Sequence, residues 1–129
     1  MRKKNLSYYK KKAWEAMSKY VRTRDKGQCF TCPIRKDPKE MQAGHCIPKA
    51  HGNGVYFDEG NVFCQCYRCN INLGGNGAVY IEKIRRLYGE EEVQRLMKLQ
   101  QAIVKYSIQD FIDIREKFEE KYKKIATKA

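Results

Sequence analysis

Apolar residues recur at three- and four-residue spacing near the start of the chain, at Leu6, Tyr9, Ala13, Met17, Tyr20 and Val21. That is the period of a helix with one buried face, and it predicts an amphipathic helix over 6–24 that Gly27 stops. The pattern then breaks up. Pro38, Gly44, Pro48, Gly52, Gly54 and Gly60 exclude a long helix and leave loops with short strands, predicted over 41–47 and 55–57. Side chains alternate along a strand, so His45 and Cys46 are expected on opposite sides. Helical periodicity returns with a short helix over 66–73, stopped by Gly74-Gly75. Longer helices follow over 78–88, 90–102 and 108–125, the last opened by a capping pair, Ser107 with Asp110. The class is therefore α+β.

Cysteine spacing changes the picture most. Cys29-x-x-Cys32 and Cys66-x-x-Cys69 form two knuckles separated by some thirty residues, the spacing of a four-thiolate zinc site that joins two distant segments. Cys64 offers a third thiol beside the second knuckle, but the x-x spacing selects Cys66 with Cys69 and leaves Cys64 and Cys46 as non-ligands. Four thiolates fill a tetrahedral zinc, so one structural Zn²⁺ per chain is expected and any catalysis needs another ion. With no signal peptide and no long apolar span, the thiols fit a reducing cytosol rather than a disulfide framework, and no membrane partner is expected.

At 129 residues the chain suits one domain, 1–129: a basic helix at 1–26, a zinc-stapled core at 27–76 and a helical extension at 77–129. Its 27 Lys and Arg against 15 Asp and Glu give a formal charge of +12, which implies a polyanionic partner, nucleic acid first. Lys10, Lys11, Lys12, Arg22 and Arg24, with Lys49 and Arg68, are the candidate DNA contacts; Arg85 and Arg86 can add to them. Tyr8, Tyr9, Trp14 and Tyr20 can stack on unpaired bases, although Trp14 and Tyr20 fit core packing better.

Within the loop that zinc would close stands His45, whose imidazole can take a proton from water near neutral pH and is a candidate general base. Asn61 lies further along the same loop, and Asn70 follows the last knuckle. His51 is the weaker histidine, suited to a solvated or phosphate-contacting place.

Taken in order, Cys29-Phe-Thr-Cys32, Gln42-Ala-Gly-His45, Asn61, Gln65-Cys66-Tyr-Arg-Cys69-Asn70 and Gly75-Asn76 resemble the bacteriophage NinG (Rap) recombination proteins, within the wider HNH, or ββα-metal, nuclease superfamily. The likeness runs over about residues 6–99. It implies a treble-clef zinc core and a divalent-metal endonuclease of the bacterial host cytoplasm that processes branched DNA such as Holliday junctions. By the same resemblance His45 activates the attacking water, Asn61 holds the histidine-bearing segment, and Asn70, with His45, sits at a catalytic Mg²⁺ or Mn²⁺. Cleavage would leave a 5′-phosphate and a 3′-hydroxyl. Many members carry Asp immediately before that histidine as a second metal ligand, and here the position is Gly44. Either Gln42, Asp58, Glu59 or Asn76 supplies the oxygen, or the ion is held weakly, or catalysis is impaired.

The main rival is a non-catalytic, zinc-stabilised treble-clef module that binds DNA or RNA through the same basic surface. A third reading is a zinc-bearing interaction module. There the stripe Val93, Leu96, Met97, Ile103 and Val104 would serve docking or a homodimer, although burial in a core explains it equally well.

Overall fold

The computed structural model describes residues 4–48 and 54–126. Lys49 and His51, both candidate contacts by sequence, lie outside the described residues, as do Arg2 and Lys3. The chain is α+β. Among the described residues a two-stranded antiparallel hairpin, β1 (Gln42–His45) and β2 (Val62–Gln65), is accompanied by α1 (Leu6–Arg24), α2 (Gly77–Tyr88), α3 (Glu90–Gln100) and α4 (Ile108–Ala126). A π-helical turn, Arg68–Asn72, joins the hairpin to α2.

Helix α1 forms where its periodicity predicts. Asn5 caps it by accepting from the Tyr8 N–H at 3.1 Å, and Ala13, Met17, Tyr20 and Val21 make its buried stripe. Beyond Arg24 the backbone turns left-handed at Lys26 and Gly27, φ 56° and 73°. A side chain at Gly27 would strike the Lys36 carbonyl oxygen, so the first knuckle folds back tightly only because this residue is glycine. Helix α4 packs along α1, with the Tyr20 and Phe118 rings 5.7 Å apart. The Ser107–Asp110 pair opens α4 as a reciprocal capping box, the Ser107 N–H to the Asp110 carboxylate at 2.8 Å and the Asp110 N–H to the Ser107 hydroxyl at 3.1 Å.

The hairpin positions everything else. Its register pairs Gln42 with Gln65, Ala43 with Cys64, Gly44 with Phe63 and His45 with Val62, and residues paired across an antiparallel ladder share a face. One face therefore carries Ala43, His45 and Val62; Ala43 and Val62 pack into the α1–α4 core with Met17 and Val21. The opposite face carries Gly44, Phe63 and Gln65, and Phe63 joins a second core with Phe30, Tyr80, Ile84, Val93 and Leu96. Cys46 is buried in that second core while His45 faces α1, so the two diverge as alternation requires. Val93 and Leu96 of α3 are fully buried, whereas Met97 and Ile103 are exposed and Val104 is half-buried; Ile103 and Val104 lie beyond the end of α3, so only the first two positions of the stripe are core.

Sequence and structure part company at the second strand. Residues 55–57 are a turn, and the strand is Val62–Gln65 instead. All four β2 residues are buried, so the period-two signal vanishes. Val55, Tyr56 and Phe57 are apolar because they too are buried, but the Val55 carbonyl is taken by the Asn61 amide at 3.1 Å rather than by a neighbouring strand.

Candidate metal centre and adjoining cleft

The two knuckles meet. The thiols of Cys29, Cys32, Cys66 and Cys69 all lie within 4.8 Å of one another, and Cys32 and Cys66 Sγ are 3.6 Å apart. Sulfurs on a tetrahedral zinc at about 2.3 Å are separated by about 3.8 Å, so the donor set fits a Zn²⁺ in both chemistry and spacing. Cys46 lies in the second core, and Cys64 packs against the knuckle cysteines without joining the donor set. Burial pushes the thiols of Cys46 and Cys64 up to about 12, as expected of inert core cysteines. Burial also opposes a Cys29 thiolate, but a backbone bond from Cys66 and the Thr31 hydroxyl and N–H outweigh it and bring Cys29 down to about 7. Local structure holds the first knuckle against β2: the Cys29 N–H donates to the Ile34 carbonyl and the Phe30 N–H to the Cys64 carbonyl, at 2.9 and 2.8 Å.

Beside the cysteines a cleft of about 370 Å³ opens between α1, β1, the turn at 54–57 and the π-helical turn, and both His45 and Asn70 line it. The His45 Nε2 lies 2.9 Å from the Tyr56 carbonyl oxygen. A carbonyl can only accept, so Nε2 carries the proton and Nδ1 is the basic nitrogen of the neutral ring. The ring stacks on Trp14 at 4.8 Å and 17°. Thus α1 fixes the imidazole plane while the turn fixes its tautomer.

Asn61 is wholly buried and does not touch the cleft. Its side-chain oxygen accepts from the Ile47 N–H at 2.8 Å, and its amide donates to the Ile47 and Val55 carbonyls at 3.0 and 3.1 Å. It clasps both ends of the loop that follows His45. Asn70 donates to Gln42 Oε1 at 2.6 Å.

The side chains proposed to replace the carboxylate missing at Gly44 are mostly committed elsewhere. Asp58 is held by Arg95 at 2.8 Å, Glu59 by Lys121 of α4, and Asn76 faces Cys69 Sγ at 3.9 Å. Gln42 alone reaches Asn70.

The basic residues divide similarly. Arg22 donates to the Pro38 carbonyl at 3.1 Å. Arg24 pairs with Asp25 at 2.7 Å and donates to the Val62 carbonyl at 2.9 Å, sealing the outer edge of β2 together with Asp25, which accepts from the Cys64 N–H. Arg85 lies between Glu82 and Glu90. Lys12 pairs with Glu15 at 3.5 Å. Lys10 reaches over the Tyr56 ring at 4.7 Å, beside the cleft, and Lys11 and Arg68 are exposed. Tyr20 is buried, and Trp14 packs at the core margin.

Sequence reasoning missed several positioning residues. The Tyr80 hydroxyl donates to the Gly44 carbonyl at 2.7 Å and accepts from the Phe63 N–H at 2.8 Å, bridging the strands next to His45. Gln65, fully buried, donates to the Thr31 hydroxyl and the Gly75 carbonyl at 3.0 and 2.8 Å. Neither carries a local pattern, since each contact joins segments remote in sequence.

The family described as Bacteriophage Lambda NinG protein matches residues 1–128. Protein ninG of Escherichia phage 933W is 30% identical over 122 residues, covering 93% of this chain and 59% of that relative. Protein ninG of Escherichia phage lambda is 33% identical over 95 residues, 72% of this chain and 46% of its own length. Protein ninG of Salmonella phage P22 is 33% identical over 78 residues, 60% and 38%. The chain thus spans about three-fifths of the length of the 933W relative, 59%, and no solved structure matches it. With residues 1–128 covered by the family pattern, this chain belongs to the NinG family of bacteriophage lambda.

Proposed function

We propose that the chain is an HNH-type, ββα-metal endonuclease on a treble-clef zinc core, hydrolysing phosphodiester bonds in branched DNA within the host cytoplasm. The observation that carries this reading is the shared cleft of His45 and Asn70, with the histidine proton held on Nε2 by the Tyr56 carbonyl. In that tautomer Nδ1 takes the proton of a water attacking phosphorus, and the Tyr56 oxygen stabilises the imidazolium that forms. Asn61 keeps the Tyr56 turn in register with β1 by clasping Ile47 and Val55. Asn70 would hold a Mg²⁺ or Mn²⁺, which when bound supplies charge neutralisation at the phosphate and the departing 3′ oxygen; His45, with Nε2 protonated and Nδ1 acting as the base, has no lone pair left for the ion. Lys10, Lys11, Lys12 and Arg68 present cations to the flanking phosphates. The four cysteines hold a structural zinc that ties the Asn70 turn to the base of α1.

The test is incubation of the full chain with four-way-junction, flap and linear duplex DNA in Mg²⁺ or Mn²⁺, alongside His45→Ala. Cleavage of branched DNA by the unaltered chain and its loss in the variant are expected. Binding without cleavage by the unaltered chain favours the second reading, a non-catalytic DNA- or RNA-binding module. Gly44 is the observation behind that alternative, because the position before His45 carries no carboxylate.

A further inference from the structure

A second cavity adjoins the His45 cleft and shares a wall with it. This groove, of about 450 Å³, runs between the start of α1, the turn at 54–57 and the 102–107 connector that leads into α4. Its volume lies within the range of about 300–1,000 Å³ that small-molecule sites occupy. Tyr56 lines both cavities. Its carbonyl holds the His45 proton, and its ring lies 4.8 Å from the imidazole and 4.6 Å from the ring of Phe57. From Phe57 the aromatic series continues to Tyr106 at 5.6 Å, and Tyr106 lies against Phe111 at 5.2 Å and 29°. Three ring contacts therefore connect the imidazole of the cleft to the Tyr106 wall of the groove.

Core packing accounts for most of these rings but not for what surrounds them. Tyr56, Phe57 and Phe111 are buried, whereas Tyr106 is only half-buried and Leu6, which lines the same groove, is 49% exposed. Two cations flank this apolar floor. Lys10 carries its ammonium over the Tyr56 ring at 4.7 Å, at the boundary between groove and cleft, and Lys105, next to Tyr106, is exposed. Among the described residues that line the groove none is acidic. An aromatic floor between two lysines matches a ligand that is flat and apolar in its middle and anionic at both ends. A nucleotide within a strand has that form, because its base presents a π face and a phosphate leaves it on either side. In a continuous duplex the bases are held by their own stack. At a branch point an unpaired base is turned out at much lower cost.

We propose that the groove seats one unpaired nucleobase of the strand whose phosphate enters the His45 cleft, with Tyr106 as its stacking platform and Lys10 and Lys105 on the phosphates to either side. The proposal deepens the nuclease reading by naming what marks the DNA as branched. It rests on that reading for the phosphate in the cleft, but not for the base in the groove.

The experiment is equilibrium binding, followed by fluorescence anisotropy without added Mg²⁺ or Mn²⁺, of the zinc-loaded full chain to a flap DNA labelled on its duplex arm. The comparison is the same flap with an abasic site at each unpaired nucleotide next to the branch in turn. Removing the base from one of these positions should weaken binding by about fivefold or more, the lower end of what one base–aromatic stack contributes. Tyr106→Ala should bind the intact flap more weakly by a similar factor and no longer distinguish it from the abasic ones. Tyr106→Phe, which keeps the ring, should match the unaltered chain. Abasic flaps bound by the unaltered chain as well as the intact one overturn the proposal without recourse to any variant. A Tyr106→Ala chain that still discriminates, or a Tyr106→Phe chain that does not, overturns it as well. Should Tyr106→Ala fail to fold, Tyr106→Leu takes its place, since it fills the volume without a π face. Self-association that Tyr106→Ala abolishes, with no discrimination between flaps, assigns the groove to a second copy of the chain instead. Base discrimination by a chain that never cuts keeps this proposal and removes the nuclease reading; cutting of flaps regardless of the base does the reverse. A chain that binds no flap removes both.

Discussion

Cys69 and Asn70 are neighbours in one helical turn, yet each belongs to a different centre. The cysteine cluster draws all its donors from two short knuckles; its donors become charged, and their spacing alone specifies a metal. The cleft draws on α1 for Trp14, on β1 for His45, on the 54–57 turn for Tyr56 and on the π-helical turn for Asn70, all neutral groups whose meeting depends on the whole fold. The lesson is a division of labour between a centre that makes the fold and a centre that the fold makes. Damage to the first should unfold the protein, and damage to the second should silence it intact.

The largest effect falls on the first centre. Cys29→Ser removes a buried donor from a site at which zinc, when bound, would contribute on the scale of small zinc domains, roughly 10–16 kcal/mol. We expect loss of zinc and of cooperative unfolding, measured by metal analysis and circular dichroism; a variant that keeps its zinc and its fold breaks the comparison at once. His45→Ala should lower DNA cleavage by about 10²–10⁴-fold, the range of general-base catalysis, with thermal stability little changed.

Asn61→Ala tests the boundary between the two centres. It leaves the Ile47 N–H and carbonyl in the interior without their partner, while the Val55 carbonyl keeps the Asp58 N–H, and at about 1–3 kcal/mol for each orphaned group it should cost about 2 kcal/mol or more in chemical denaturation while zinc is retained. Lys10→Ala with Lys11→Ala should weaken DNA binding without altering the fold, and should flatten the slope of log affinity against log salt by about 0.9 for each phosphate no longer neutralised. The smallest effect is at Asp58. The Arg95 guanidinium holds its carboxyl below the usual carboxylate range, burial opposing and the Gly60 N–H helping. Its folded pKa is depressed, so its contribution is present above the unfolded pKa and fades as pH falls through the folded value. Asp58→Asn should therefore lower the melting temperature slightly at pH 7, and by progressively less in acid.

The same division explains what can be read from the chain. Helix periodicity, the Ser107–Asp110 cap and the selection of Cys66 over Cys64 are local, and spacing carries them. Strand β2 is hidden because burial on both faces erases alternation, and 55–57 mimics a strand because its apolar side chains serve a turn. His45 and Asn70 are legible only as residues in a motif order. Their shared cleft, the Tyr56 carbonyl, the Tyr80 bridge and the buried Gln65 amide arise from contacts across 10 to 36 positions. Charge is similarly legible in sum but not in use. Arg22 and Arg24 belong to the amino-terminal basic cluster, and the fold spends them on backbone carbonyls.

The chain contains a single tryptophan, and it is the one whose indole lies against the His45 imidazole. A protonated imidazole in that position quenches indole emission, whereas the neutral ring does so far less. The protein therefore carries its own optical gauge of the histidine. Ultraviolet-excited fluorescence followed against pH, added cation or added DNA reads the charge and seating of that one ring in the unlabelled molecule.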